Sequence, residues 1–182
     1  MKIISGIYKG RTIEGFDIKG TRPTMERVKE SLFGMIQNYL LNSNCLDLFS
    51  GSGNLAIEAL SEGASSIYLV DNNIKAIKTI KNNIEKLNIE NASIIHSDYK
   101  KALELFKEKN IKFNLIFLDP TYNTNYLENS ISLIEQYNLL EDDGIIVCES
   151  DSINKIIYTN YFELIKERTY NDKIVIILKK TQ

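Results

Sequence analysis

The chain has 182 residues, of which 43% are hydrophobic and 25% are charged, and its net charge at pH 7 is -2. This composition fits one globular domain with a real core, and it excludes a protein coated in positive charge for nucleic acid. No apolar run approaches the roughly 18 residues of a membrane helix, and the first residues lack the apolar stretch and cleavage site of a signal peptide, so we expect a cytoplasmic protein without membrane contact.

The N-terminal segment is predicted to form a small arm followed by a helix. The first 20 residues alternate short β-prone pieces with glycines, which is typical of a hairpin or an extended arm. Pro23 marks a helix boundary and Thr24 is a suitable N-cap. Apolar residues then recur at helical spacing up to Tyr39, which predicts one buried helix face.

This segment is basic although the whole chain is slightly acidic. Residues 1–30 contain seven Lys and Arg against four Asp and Glu, a net charge of +3, and they hold three of the four arginines. Arginine binds phosphate bidentately and stacks on bases, so the segment could contact nucleic acid. A solvated terminal segment fits the same charges equally well.

From residue 45 onward, short apolar runs alternate with stretches of helical periodicity. Strands are predicted at 45–49, 67–70, 93–96, 115–118 and 144–148. Continuous apolar strands with helices between them fit a parallel sheet that is buried on both faces.

The end of the chain breaks this rhythm. The β-like runs 162–168 and 173–179 are separated by four residues, too few for a crossover helix, so an antiparallel hairpin is expected. The predicted fold class is therefore α/β: a doubly wound, Rossmann-like sheet of seven mostly parallel strands, with a C-terminal antiparallel hairpin and a short N-terminal β/α extension.

The cysteines and the single histidine do not suggest a metal site. Cys45 and Cys148 each lie in an apolar strand-like run, where a buried thiol is expected rather than a disulfide or a metal ligand. His96 ends a predicted strand, so a structural role is expected for it. No metal is predicted.

A glycine-rich loop, Asp47–Asn54, follows the first predicted strand. Open α/β sheets bind ligands at the carboxyl ends of their strands, and glycines let the backbone approach a ligand closely. The segment Gly51–Ala56 also satisfies the loose G-x-G-x-x-G/A pattern of dinucleotide-binding proteins, although a purely structural turn fits as well.

Acidic residues at three strand ends make S-adenosylmethionine the expected cofactor. Asp71 could accept hydrogen bonds from ribose hydroxyls, and Asp98 could meet an adenine amino group. Asp47 would repel the pyrophosphate of a dinucleotide but would favour the sulfonium and ammonium of S-adenosylmethionine. The expected cofactor contacts are Asp47, Phe49, Gly51, Gly53, Asn54, Asp71, Asn72, Asp98 and Tyr99.

The loop Asp119-Pro120-Thr121-Tyr122 follows the fourth predicted strand and carries the residue types needed to methylate an exocyclic amine. The lone pair of such an amine is delocalised into the ring. A carboxylate from Asp119 and a backbone carbonyl aimed by Pro120 can favour a pyramidal nitrogen and stabilise its developing positive charge. Tyr122 offers a face for stacking on the extruded base. Asp119, Pro120 and Tyr122 are therefore the expected catalytic residues.

Seven segments spread over nearly the whole chain form a recognisable set: Ile4–Gly6, Tyr8–Arg11, Arg22–Thr24, Arg27–Glu30, Leu32–Phe33, Leu46–Gly53 and Phe117–Pro120. With this set the sequence resembles the RsmD family, bacterial methyltransferases that form N2-methylguanine in small-subunit ribosomal RNA. The stretch Arg22–Phe33 is the most specific of them, because it separates this family from methyltransferases at large. Thr121 is a departure, since the family usually has a second proline there.

The resemblance implies a class I methyltransferase that uses S-adenosylmethionine and acts on 16S ribosomal RNA within the small ribosomal subunit or its assembly intermediate. Lys9, Arg11, Arg22 and Arg27 become the expected RNA contacts. We expect a monomer in which residues 1–182 form one methyltransferase domain, with an RNA-contacting arm and first helix at 1–40 and a cofactor-binding catalytic core at 44–180.

Three other functions fit parts of the sequence. One is another RNA or DNA amine methyltransferase, for example at adenine N6, because related loops serve those targets. A second is a nicotinamide-dependent oxidoreductase that uses the Gly51–Ala56 loop. A third is a non-catalytic RNA-binding module, to which only Thr121 points.

Overall fold

The computed structural model describes residues 1–15, 23–121, 124–151 and 156–182. Its helices are α1 (Pro23–Ile36), α2 (Asn54–Ser61), α3 (Ile74–Lys86), α4 (Tyr99–Glu108) and α5 (Tyr126–Gln136), and a 3-10 turn, Gln37–Tyr39, follows α1. Its strands are β1 (Asn44–Asp47), β2 (Ser66–Asp71), β3 (Ala92–His96), β4 (Phe113–Leu118), β5 (Leu140–Ser150), β6 (Phe162–Tyr170) and β7 (Lys173–Lys180).

The seven strands form one sheet in the order β3-β2-β1-β4-β5-β7-β6. Strands β1 to β5 pair in parallel, whereas β7 pairs antiparallel with both β5 and β6. This arrangement confirms the predicted fold class, including the C-terminal hairpin. Strands β2 and β3 are added on one side of β1, whereas β4 and β5 are added on its other side. The loops after β1 and β4 therefore flank the crevice where such sheets bind ligands.

Strand side chains alternate between two hydrophobic layers. Cys45, Leu115 and Val147 lie in the layer covered by α1, α2 and α3. Leu46 and Ile146 lie in the opposite layer, which α4 and α5 cover. The alternation follows from the two-residue period of a strand, and it explains why each parallel strand reads as a continuous apolar run.

Helix α1 lies across the sheet with its first turns beyond the carboxyl ends of the parallel strands. The Tyr170 hydroxyl, at the end of β6, donates to Ser31 Oγ at 2.7 Å, and Lys166 Nζ donates to the Met35 carbonyl at 2.9 Å, deeper along the strand. Phe33 packs against Phe117 with ring centroids 5.9 Å apart. The N-terminal end of α1 therefore projects over the edge where the glycine loop lies.

The first residues form a small closed loop that docks on α2. Lys2 and Thr12 form an isolated antiparallel bridge, in agreement with the predicted hairpin. Ser61 holds the loop at the end of α2: its carbonyl accepts from Ile7 N, and its hydroxyl accepts from Tyr8 N. Residues 16–22 lie outside the described part of the chain.

Some element boundaries differ from those predicted. Helix α1 begins at Pro23, a residue whose fixed φ suits the first helical position, so the prediction of Thr24 as N-cap was wrong. The α-helix ends at Ile36, and a 3-10 turn continues it through Tyr39. The hairpin strands run on to a two-residue connection at 171–172, with Asn171 at a positive φ of 47°. None of the described helices is long and apolar enough to cross a membrane.

Candidate active site

The glycine loop turns sharply from β1 into α2. Gly53 has φ +82° and precedes the first residue of α2, and an added Cβ there would lie 2.9 Å from Leu69 Cδ2. Gly51 has φ +57°, but a Cβ there would point into open space. Gly53 is thus needed for packing within the protein, whereas Gly51 faces the side of the loop from which a ligand can approach.

Asp71 fixes this loop from the end of β2. Its Oδ2 accepts from Gly51 N at 2.9 Å, and its Oδ1 accepts from Asn73 N at 2.9 Å. A carboxylate has additional lone pairs, so Asp71 can hold the loop and still accept hydrogen bonds from a ligand. Asn72 beside it is exposed.

Asp98 is the N-cap of α4. Its Oδ1 accepts from Lys100 N at 2.9 Å, and its side chain is exposed at the carboxyl end of the sheet. This contact explains the residue type at the start of α4. The predicted contact between Asp98 and an adenine ring stays a prediction.

Asp47 is a buried carboxyl group with an orphaned oxygen. The residue is 2% exposed, and its Oδ1 has no hydrogen-bond partner within the described part of the chain. Burial is the main cause that raises the pKa of Asp47 to about 7, and repulsion from Asp71 is the second. Hydrogen bonds from the backbone N–H groups of Ala56 and Phe49 lower this pKa in part. Because an unpartnered buried acceptor is costly, this atom indicates a missing donor or cation.

Three aromatic rings stand beside the loop. Phe49 stacks on Tyr126 with 4° between the ring planes and 6.1 Å between centroids, and its centroid lies 5.5 Å from that of Tyr99. The Tyr99 hydroxyl accepts from Asn129 Nδ2 at 3.2 Å. The Tyr99 ring is tilted by 45° to Phe49 and by 43° to Tyr126, so the three rings form an angled aromatic cluster beside the loop rather than one plane. Tyr126 was not predicted, because its place next to Phe49 depends on how α5 packs.

Asp119 is the first residue after β4 and lies half-buried, with Pro120 buried behind it. Burial raises the pKa of Asp119 to about 8, with repulsion from Glu149 as the next cause and attraction to Lys173 opposing it. The exposed Thr121 accepts through its carbonyl from Thr124 Oγ1 at 2.8 Å. Tyr122 lies outside the described residues.

Glu149 and Lys173 extend this end of the sheet, and sequence reasoning missed both. Leu118 pairs with Cys148, so Asp119 and Glu149 follow each other across β4 and β5. Glu149 pairs with Val175, which places Lys173 on the same face of β7, and its ammonium forms an ion pair with Glu149 Oε1. Only the register of the hairpin brings Lys173 here, and no local motif signals it.

A buried ion pair connects α1 to the glycine loop. Lys29 Nζ lies 2.8 Å from Glu58 Oε2, and the two side chains are 4% and 0% exposed. Lys29 also donates to Asn54 Oδ1 at 2.8 Å, and Glu58 accepts from Ile4 N and Ser5 N. The arm, α1 and the start of α2 therefore share one buried polar network.

The predicted RNA contacts fall into three groups. Lys9 and Arg27 are exposed and line one cavity of about 360 Å³, together with Lys2, Glu26 and Glu30 among others. Arg11 donates from Nη2 to the Lys86 carbonyl at 3.0 Å, so it also caps the end of α3. Arg22 lies outside the described residues.

Comparison with known proteins places this arrangement among methyltransferases. A family model described as "Conserved hypothetical protein 95" matches residues 1–179. The "Putative rRNA methyltransferase YlbH" of Bacillus subtilis is 43% identical over 152 residues, 83% of each chain. "Ribosomal RNA small subunit methyltransferase D" of Buchnera aphidicola is 36% identical over 93% of this chain and 87% of its own. The structure of "Putative methyltransferase yhhF" from Escherichia coli superposes with a TM-score of 0.86 at 28% identity, covering 99% of this chain and 97% of that one.

Proposed function

This chain belongs to the RsmD family of ribosomal RNA methyltransferases, and from that premise we propose that it methylates the exocyclic N2 of guanine 966 in 16S ribosomal RNA. One observation carries the proposal. Strand β1 pairs with β4, so the carboxyl group of Asp47, with its unpartnered Oδ1, and the loop at Asp119 lie at the ends of neighbouring strands. A cofactor loop and an amine-binding loop thus meet at one edge of the sheet. The family excludes the oxidoreductase reading of the Gly51–Ala56 loop.

S-adenosylmethionine is the methyl donor, and the residues at the glycine loop fit it. When bound, it supplies a methyl group on a positively charged sulfur. The orphaned Asp47 oxygen suits a cation, and the open space at Gly51 leaves room beside the backbone. We assign the hold on the donor to Asp47, Phe49, Gly51, Gly53, Asn54, Asp71, Asn72, Asp98 and Tyr99, as expected from the sequence.

Asp119 and Pro120 bind and activate the amine that accepts the methyl group. The Asp119 carboxylate and the Pro120 carbonyl accept its two N–H bonds, which favours a pyramidal nitrogen and a localised lone pair. As the N–C bond forms, Asp119 stabilises the positive charge on nitrogen and takes the proton that the methylated amine releases. Only the ionised carboxylate of Asp119 can accept that proton, and because its pKa is raised to about 8, this reactive form becomes more abundant as the pH rises through 8.

The base is held by the residues that follow. We assign Tyr122 to stacking on the flipped guanine. Thr121, in place of the usual proline, makes the loop less constrained, and its carbonyl bond to Thr124 supplies part of the missing rigidity.

The RNA backbone is proposed to follow the N-terminal end of α1. Lys9 and Arg27 line one cavity there, and Arg22 and Arg11 complete the basic segment at 1–40, apart from the catalytic core at 44–180. The segment carries only a modest excess of positive charge. This suits a monomer whose substrate is 16S RNA already shaped by proteins in the small ribosomal subunit or its assembly intermediate.

The test is methyl transfer from tritiated S-adenosylmethionine to small subunits that lack the modification. The expected product is N2-methylguanine at position 966, mapped by nuclease protection and nucleoside chromatography. The Asp119→Ala variant serves as the control, because it should bind S-adenosylhomocysteine without turnover. N6-methyladenine as the sole product would contradict the proposed target and favour the adenine alternative.

A further inference from the structure

We propose that Glu149 and Lys173 read the Watson–Crick edge of the target guanine beside Asp119, and that they set the base specificity of the enzyme. The inference rests on the proposed function, because it takes guanine N2 as the accepting amine. It gives a role to Glu149 and Lys173, to which the proposed mechanism of methyl transfer assigns none.

The three side chains form a row across neighbouring strands. Asp119 follows β4, Glu149 lies near the end of β5 and Lys173 begins β7, and these strands are adjacent in the sheet. Their residues lie on one face, because Asp119 and Glu149 come directly after the Leu118–Cys148 pair and Lys173 is two residues before Val175, the partner of Glu149. The row therefore starts at the catalytic carboxyl group and runs away from the glycine loop.

Glu149 places a second acidic group beside Asp119. Its side chain is 12% exposed, and its charge lies close enough to Asp119 to disfavour ionisation of that group. Lys173, 32% exposed, offsets part of this repulsion through its ion pair with Glu149. A half-buried acid held beside a catalytic acid is the kind of arrangement that a ligand with matching donors makes favourable.

The order of donors and acceptors matches guanine. Along its Watson–Crick edge, guanine presents the N2 amine as a donor, N1–H as a donor and O6 as an acceptor. The row presents Asp119 as an acceptor, Glu149 as an acceptor and Lys173 as a donor, in the same order. Adenine fits poorly, because with its amine on Asp119 its N1 lone pair would face the Glu149 carboxylate. Discrimination thus comes from two attractive contacts to guanine and one repulsion against adenine.

The experiment replaces the target guanine with 2-aminopurine, by ligation into 16S RNA that is then assembled into small subunits. This base keeps the N2 amine but lacks O6, and its N1 is an acceptor. The native enzyme is expected to prefer guanine in kcat/KM by roughly 100-fold or more, since each of the two lost or reversed contacts should lower kcat/KM about tenfold or more. Glu149→Gln should shrink this ratio about tenfold, because the amide can donate to N1. Lys173→Met should also shrink it, by losing the contact to O6.

The ratio between the two substrates isolates base reading from other effects, because a change in the Asp119 carboxyl group would affect both substrates alike. The matched controls are Asp143→Asn and Lys179→Met, which remove an ion pair of 3.1 Å between the same two strands at the opposite edge of the sheet. These controls should leave the ratio unchanged. Thermal unfolding and S-adenosylhomocysteine binding verify that each variant is folded.

Two failures are distinguishable. An unchanged guanine to 2-aminopurine ratio in both Glu149→Gln and Lys173→Met, with N2-methylguanine still formed, would overturn this inference and leave the proposed function intact. A native product other than N2-methylguanine would overturn the proposed function itself. If Glu149→Gln does not fold, Lys173→Met decides alone.

Discussion

At the scale of single residues, the carboxyl groups at the strand ends differ in their surroundings and therefore in how easily they ionise. Asp71 and Asp98 accept backbone N–H bonds in their own loops. Asp47 is buried and Asp119 is half-buried, and the pKa of each is raised by burial and by neighbouring acids. The first pair stabilises the loops, whereas the protein disfavours the ionised form of the second pair, which we propose a cationic donor and an amine would stabilise.

The rate of methyl transfer is expected to rise with pH through the pKa of Asp119, about 8. The ionised carboxylate is the accepting form, so kcat/KM for S-adenosylmethionine, which reports the free enzyme, should fall up to tenfold per pH unit below that value. The charges facing Asp119 are Glu149, Lys173 and Asp47. Lys173→Met should therefore move the midpoint to higher pH, while Lys179→Met should not. A profile that is flat between pH 6 and 9 would contradict this role for Asp119.

Asp47→Asn is expected to stabilise the fold and weaken cofactor binding. The raised pKa of about 7 means that the stability of the native protein falls as pH rises from the unfolded value of 3.8 through 7. The variant lacks this loss, which amounts to a few kcal/mol, so its Tm at pH 8 should exceed that of the native protein by several degrees. At pH 3.5 the two should be similar.

The same variant should bind S-adenosylmethionine at least about tenfold more weakly, because an amide cannot neutralise a cation. Isothermal titration calorimetry measures the affinity and differential scanning calorimetry measures the Tm, both on the same preparation. A lower Tm at pH 8, or undiminished affinity, would mean that the orphaned oxygen has another purpose.

At the scale of elements, the N-terminal arm is a docked part of the molecule. Its backbone is held by Glu58 and Ser61 of α2, and Lys29 ties α1 to the same network. The network reaches Asn54 at the end of the glycine loop. Breaking a buried ion pair by removing one partner is costly, so the arm, α1 and α2 are expected to unfold together.

Gly6→Ala is predicted to release this arm, while Gly10→Ala is its matched control. Both glycines have positive φ, +80° and +83°, but a Cβ at Gly6 would lie 1.8 Å from the Ser61 carbonyl oxygen and a Cβ at Gly10 would meet nothing within 4 Å. The control should lose only about 1–2 kcal/mol of stability, which is the cost of holding alanine in a left-handed backbone conformation. Limited trypsin cleavage after Lys9 and Arg11 reads out the release. Equal cleavage rates in the two variants would show that the contact with Ser61 does not hold the arm.

At the scale of the whole molecule, an acidic chain exposes Lys9 and Arg27 together beside the N-terminal end of α1. The net charge of -2 therefore describes the molecule poorly as an RNA partner. We propose that the RNA responds instead to the local charges at the N-terminal end of α1, where Lys9 and Arg27 share a cavity with Glu26 and Glu30. Mixed charges of this kind favour a specific docking geometry over general attraction to RNA.

Replacing Lys9 and Arg27 together with Gln is predicted to weaken binding to small subunits and to flatten its salt dependence. Each lost phosphate contact should reduce the slope of log K against log salt by roughly 0.7 to 0.9. The control replaces Lys107 and Lys109, which are exposed at the end of α4, at the opposite edge of the sheet. A slope that is unchanged in the first double variant would remove this cavity from the RNA interface.

The sequence by itself determined the order and type of the elements, the parallel core with its terminal hairpin, and the two loops at Asp47 and Asp119. These follow from periods of two and 3.6 residues and from strand ends, which are local properties of the chain. The position of Thr24 was misjudged, because a proline can occupy the first helical turn itself.

Only the tertiary structure decided which distant side chains meet at the site. Glu149 and Lys173 come together through strand register, Tyr126 joins Phe49 through the packing of α5, and Lys29 finds Glu58 between two helices. Such contacts depend on how elements far apart in the sequence pack against each other, and no local pattern records that. The class of enzyme and its cofactor could therefore be predicted from the chain, while the groups proposed to select its base could be found only in the fold.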